Sequence, residues 1–181
     1  MGIKRRVGAV LARGSRVYLR RPQRADCAAF LDMVSASREL HEPWVKPPQD
    51  EAGFRSYLAR VALENQCGFL VYRCADHALV GVVNLSEIVG GAFKSAYLGY
   101  YADARFAGVG LMSQAMRLVI GHAFGNLGLH RLEANVQPDN HSSIALVRGC
   151  GFRREGYSPR YLYIDGAWRD HERWAITAEE V

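Results

Sequence analysis

The sequence predicts one α/β domain (α+β by other criteria), built on a mixed sheet with helices on its faces. Three observations carry this. Short, β-branched apolar runs cluster in the middle of the chain, each about one strand long. A strand, helix, strand succession follows them, which calls for a crossover packed on a sheet face. The 181 residues are 49% apolar and 23% charged, enough for one buried core and incompatible with a largely disordered chain.

Residues 1–15 read as a basic arm or an edge segment, and 16–181 as a single domain. Residues 17–19 form a short strand, and Pro22 turns the chain. Residues 26–38 have helical spacing, with Ala28, Leu31 and Val34 on one side. Three of the six prolines fall in 41–48, a stiff connection too short to be a domain linker. A second helix fits 50–65, with Phe54, Tyr57, Leu58 and Val61 as its stripe. Residues 68–74 and 78–85 read as antiparallel strands around a tight turn, and Gly90-Gly91 breaks the chain before a strand at 94–101. A helix at 111–124, a strand at 132–136 and a short helix at 140–148 follow. A strand from 151 to 164, bent near Pro159, meets the last strand, 168–177, through the turn pair Asp165-Gly166.

The formal charge is +5, yet residues 1–24 hold eight basic groups and no acid, leaving a net of −3 on the remainder. The surplus sits at one end, which argues against a basic nucleic-acid-binding domain. No apolar run reaches 18 residues, and Arg13 and Arg16 interrupt the only stretch that imitates a signal sequence, so no membrane span is expected. Cys27, Cys67, Cys74 and Cys150 form no CxxC and have no histidine at metal-ligand spacing. Free thiols in a reducing cytoplasm, with no metal, are the expectation.

The most informative segment is the small-residue turn between the strand at 94–101 and the helix at 111–124. It reads Asp103-Ala-Arg-Phe-Ala-Gly108-Val-Gly110. First-turn helix amides lack internal partners, and glycines let a ligand approach the backbone. Such a turn can cradle phosphate, at roughly 0.3–1 kcal/mol per anionic contact, with Arg105 as an added charged donor. Glycines that merely reverse the chain would look the same. There is no GxGxxG, no Gly-Lys-Ser/Thr and no GxSxG, which excludes the dinucleotide, P-loop and nucleophile-elbow readings.

Arg105-Phe-Ala-Gly108-Val-Gly110 resembles the acyl-CoA pyrophosphate loop of the GCN5-related N-acetyltransferase (GNAT) superfamily. Asn135-Val-Gln-Pro-Asp-Asn140-His-Ser-Ser143 resembles that family's second CoA-side element. His41-Glu-Pro-Trp44, the segment 84–93, Glu155-Gly156-Tyr157 and the segment 161–171 are similar to its ribosomal-protein alanine N-acetyltransferase branch. The likeness spans roughly residues 16–177. It implies a mostly antiparallel central sheet with helices on both faces and a splayed parallel strand pair, here about 97–101 and 131–136, enclosing acetyl-CoA as cosubstrate. Backbone groups near Tyr100, Tyr101 and Ala102 would hold the pantetheine arm and thioester. The amides of Phe106, Ala107, Gly108, Val109 and Gly110 would hold the pyrophosphate. Asn140 would meet pantetheine and Ser143 the sulfur, although Asn140 also suits a plain helix cap and Ser143 a first-turn polar residue.

The activity implied is direct attack of an amine on the acetyl thioester, which needs positioning, a base for the ammonium and modest help for a thiol of pKa about 8.5. Glu87, just beyond the strand at 78–85, is the leading base and Ser143 the leading proton donor. Asp170 and Glu133 are secondary candidates. His41, His130, His141 and His171 titrate near neutrality, but none is singled out by spacing. The branch resemblance implies a protein or peptide N-terminus as acceptor, beginning with Ala or Ser and belonging to a ribosomal protein, in the cytoplasm. Trp44, Asn84, Phe93, Tyr157 and Tyr161 would face it. The alternatives are a small-molecule amine, or a ribosome- or RNA-binding module with an inactive acyl-CoA pocket. A weak, salt-sensitive ribosome or RNA contact through Arg16, Arg20, Arg21 and Arg24 fits either protein-directed reading.

Overall fold

In the computed structural model, which describes residues 9–181, the chain opens with strands β1 (Val10–Arg13) and β2 (Val17–Arg20). Lys4, Arg5 and Arg6 lie outside the described residues. Helices α1 (Cys27–Ala36), α2 (Arg38–His41) and α3 (Glu51–Val61) follow. The expected helix at 26–38 is thus broken at Ser37. That buried hydroxyl accepts a hydrogen bond from the Ala104 amide at 2.9 Å, which ties the break to the loop of interest. The helix expected to reach 65 stops at Val61. Its start is capped by Asp50, whose carboxylate accepts from the Gly53 amide at 2.7 Å.

Strands β3 (Cys67–Arg73), β4 (Leu79–Val89) and β5 (Ser95–Ala102) form the antiparallel middle of the sheet. β4 runs four residues further than expected, past a bulge between Ser86 and Val89, so Glu87 lies inside the strand rather than beyond it. Helix α4 (Leu111–Gly125), strand β6 (Arg131–Val136), helix α5 (His141–Gly149) and strands β7 (Arg153–Ile164) and β8 (Ala167–Thr177) complete the chain. The spatial order is β1-β2-β3-β4-β5-β6-β8-β7. Every neighbouring pair is antiparallel except β5 with β6, so the expected mixed sheet is observed.

The two faces have separate cores. On one, Met116, Val119 and Ile120 of α4 and Val147 of α5 pack on Val17, Phe69, Leu98, Leu132 and Trp174. On the other, Phe30 of α1 and Phe54 and Tyr57 of α3 pack on Tyr18, Leu70, Val82 and Tyr101. Each such side chain contributes roughly 1.5–3 kcal/mol by leaving water. Strand alternation, away from the bulges, then assigns sheet residues to a face. Leu98, Tyr100, Ala134 and Val136 look toward α4 and α5. Tyr97, Tyr101, Asn135 and His171 look toward α1 and α3.

Candidate functional site

β5 and β6 pair only over Ser95–Tyr97 with Arg131–Glu133. Beyond that point they part. β5 stays paired to β4 through Ala102, and β6 to β8 through Val136, so each keeps its outer partner and exposes its inner edge. A cleft of about 600 Å³ fills the gap, lined by 98–102 from one strand and 134–137 from the other. It crosses the sheet. On the α4 and α5 face its walls include Phe106, Ala107, Gly108, Gly110, Asn140 and Ser143. On the opposite face they include His41, Trp44, Leu162, Ile164 and His171.

The loop after β5 is held by a buried carboxylate. Asp103, fully shielded from solvent, accepts from the Arg105 amide at 2.9 Å and from the Arg105 guanidinium at 2.6–2.9 Å. That guanidinium also meets Asp32 at 2.8 Å, and Arg105 does not line the cleft. Arg105, expected as an added charged donor to phosphate, here has its guanidinium on two carboxylates and braces the loop. Gly108 and Gly110 sit at φ 74° and 80°, a region costly for other residues, and no protein atom lies within 4 Å of where a Gly108 Cβ would stand. The helix opens just beyond them; its first bond is Gln114 N–H to Gly110 O, at 3.2 Å, so the preceding amides carry no intrahelical partner. Arg16 donates to the Val109 carbonyl at 2.9 Å and so braces this loop, and Arg73 lies 4.5 Å over the ring of Phe106. Val109 itself is exposed and outside the lining.

Across the parted strands, Asn140 caps α5 by accepting from the Ser143 amide at 3.1 Å. The Ser143 hydroxyl is hydrogen-bonded to the Tyr100 phenol, whose pKa burial drives well above the ordinary value. Tyr101 is buried with its pKa raised in the same way, and the Ala102 carbonyl accepts from His41 Nε2 at 2.8 Å. The loop, the α5 cap and the inner edge of β5 therefore converge on one gap. Its open glycines and the amides at the start of α4 fit a ligand with an anionic end, such as the acyl-CoA the resemblance implies.

On the other face the placement is mixed. Trp44 lines the cleft. Tyr161 sits just outside, its ring 6.2 Å from His171, and its hydroxyl beside the Tyr97 phenol, with burial, pushes that phenol up to about 12. Asn84 is covered by α3, accepting from the Tyr57 hydroxyl at 2.9 Å. Phe93 is 75% exposed in the β4–β5 connection, and Tyr157 is exposed and bonded to Asp170. None of these three lines the cleft, which does not fit the acceptor-facing role expected of them. Glu87 is also outside the lining. It is exposed at the β4 bulge, φ 49°, with Gln66 Nε2 at 3.4 Å as its hydrogen-bond partner, a position that does not suit a base for the cleft.

Among the described residues, the lining contains no Asp, Glu, Lys or Arg. Its titratable groups with a lone pair to offer are the buried histidines His41 and His171, both held below the usual imidazole range by burial. Asn135 adds a buried carbonyl oxygen with no partner. Spacing alone did not distinguish these three: His41 and His171 stand beside charged residues in the sequence, and Asn135 is one polar position of a strand. Among the described residues no cluster of His, Cys, Asp or Glu is placed for a metal, and no helix is long and apolar enough to cross a membrane. The four cysteines are unpaired.

The Acetyltransferase (GNAT) domain family matches residues 16–153. The chain is 32% identical to a probable N-acetyltransferase, YjcK, of Bacillus subtilis, covering 92% of this chain and 96% of that protein. It is 31% identical to the [ribosomal protein uS5]-alanine N-acetyltransferase of Escherichia coli, covering 99% and 96%. Mycobacterium smegmatis RimJ, solved in complex with CoA-disulfide, superposes with a TM-score of 0.84 at 33% identity, over 91% of this chain and 83% of that one.

Proposed function

From the premise that the chain belongs to the GNAT acetyltransferase family and is an N-acetyltransferase, we propose that it acetylates a protein N-terminal α-amine, with acetyl-CoA as donor. The acceptor we infer begins with Ala or Ser and belongs to a ribosomal protein; the name of the Escherichia coli relative gives a ribosomal protein and alanine. The observation that carries this choice is the uncharged lining of the cleft. A polyamine or other multiply charged amine would enter without a carboxylate to face its remaining cations. A small, neutral first residue with one amine suits the wall formed by His41, Trp44, Leu162 and Ile164.

The energetics point the same way. Freeing an α-amine of pKa about 8 at pH 7 costs roughly 1.4 kcal/mol, against about 4.6 kcal/mol for a lysine amine. A site without a carboxylate base suits the former.

The donor, once bound, supplies an activated acetyl carbon. The chain's own groups do the rest. The amides of Gly108, Val109 and Gly110 and the start of α4 receive an anionic end, since those of Phe106 and Ala107 already donate to the Asp103 and Ala104 carbonyls. The inner edge of β5 near Tyr100 and Tyr101 orients the reacting group. Ser143, bonded to Tyr100, presents a hydroxyl proton to the departing sulfur. Leu98, Ala134 and Val136 keep the gap apolar.

The test is mass spectrometry after incubation with acetyl-CoA. The substrates are an Ala-starting peptide, the same peptide with a blocked α-amine and an internal lysine, and a set of small mono- and polyamines. The expected result is a +42 Da product on the free Ala-starting peptide only. Acetylation of the blocked peptide or of the small amines instead would overturn the acceptor assignment.

A further inference from the structure

We propose that His171 Nε2 is the base that takes the proton from the acceptor ammonium; the assignment rests on the acetyl-transfer reading above. The ring is 2% exposed and lines the cleft. Its Nδ1 lies 2.9 Å from the Arg169 carbonyl, which can only accept, so the hydrogen is on Nδ1 and Nε2 carries a lone pair. Among the described residues Nε2 has no hydrogen-bond partner. It is also absent from the fully enclosed unpartnered atoms, which include His41 Nδ1, so the reachable atom of this nearly buried ring is the one with the lone pair.

Position supports the role. β6 and β8 pair up to Val136 with Glu172, and one step further sets His171 beside Gln137, on the parted half of β6. Alternation directs the ring to the α1 and α3 face, across from the anion-receiving loop, where an amine approaching the gap from that side meets it.

The charges around the ring are few. Asp170 and Glu172 flank it on β8, Glu172 being paired with Arg154 at 3.2 Å, Arg173 shares its face of the strand, and Tyr161 on β7 stands 6.2 Å away, beside Tyr97 of β5. On β6 the nearest acid, Glu133, is paired with Arg131 at 2.9 Å. His41 of α2 is neutral for the same reason as His171: burial lowers both, against a partial upward pull from Asp170 on His171. The ring is therefore uncharged and able to accept at pH 7.

Nε2 takes one proton from the ammonium and becomes an imidazolium N–H. The freed amine pair forms the N–C bond to the acetyl carbon, the C–S bond breaks, and its electron pair leaves on sulfur. A second amine proton ends on that thiolate.

His171→Asn keeps a side-chain amide donor near the Arg169 carbonyl and removes the base. The expected result is a loss of about 100-fold or more in kcat/KM for the acceptor, loss of the acidic limb below pH 6.5, and an unchanged calorimetric Kd for CoA. A kcat/KM within threefold of the parent, with the limb retained, would overturn the proposal. Nitrogen-15 imidazole spectra of the unaltered enzyme at pH 7 supply a check independent of the variant's folding. A neutral ring protonated on Nδ1 is expected; an Nε2–H tautomer or a cationic ring would contradict it. The profile is recorded with whichever amine is acetylated in the mass-spectrometric panel, so a wrong acceptor class and a wrong base give different results.

Discussion

At the scale of single residues, the site divides into groups legible in the sequence and groups that only neighbours could reveal. Gly108 and Gly110 announce a turn with open backbone, and both adopt positive φ. Arg105 was legible as a charge but not as to destination, because its partner Asp32 is 73 residues away and becomes adjacent only when α1 packs beside the loop. His171 was unreadable for a similar reason: its significance depends on which nitrogen a backbone carbonyl engages. Gly108→Ala isolates the ligand's contribution. The added methyl meets no protein atom, so the fold loses only the conformational cost of about 1–2 kcal/mol. A phosphate lying over that backbone would be displaced. The expected outcome is a KM for acetyl-CoA raised at least tenfold with kcat nearly unchanged; an unaltered KM would remove the loop from the binding site.

Elements were legible where a period persisted and not where a long-range bond cut it short. The spacing at 26–38 reads as one helix because nothing local marks Ser37, whose hydroxyl is drawn to the Ala104 amide in the loop after β5. The extension of β4 to Val89 was hidden by the bulge at 87–88, which breaks alternation and turns Glu87 outward at φ 49°. β7 is also irregular, slipping register between Ser158 and Leu162, and that slip sets Tyr161 between Tyr97 and His171. The parting of β5 from β6 leaves no mark on either strand's own pattern, since both keep an outer partner. Only the family likeness of the flanking segments pointed to it.

For the molecule as a whole, part of the basic surplus near the start of the chain is taken up by the fold. Of the four basic residues expected to meet a ribosome or RNA, Arg20 is buried and paired with Asp26 and Tyr72, Arg16 is exposed but bonded to the loop, and Arg21 and Arg24 are exposed. Titration of the buried groups shapes stability. His41, His122 and His171 have folded pKa values below 6.5, so the unfolded chain takes up their protons first and stability is lost as pH falls below about 6.5, by at most about 1.4 kcal/mol per pH unit for each. Tyr57, Tyr72, Tyr100 and Tyr101 are raised by burial, so the unfolded chain ionises first and stability is lost as pH rises above 10. Urea midpoints should therefore be higher at pH 7.5 than at pH 5 or 10.5; a midpoint that climbs on acidification would contradict this.

The whole assembly serves one geometric idea: a donor enters between β5 and β6 from the α4 and α5 face, and an amine meets it from the other. Amide hydrogen exchange with and without acetyl-CoA tests this most directly. Slowed exchange at 106–113 and at 134–143, on both sides of the gap, with α1 and α3 unchanged, is the predicted result. Protection confined to the β7–β8 hairpin, or none at either flank of the gap, would contradict it.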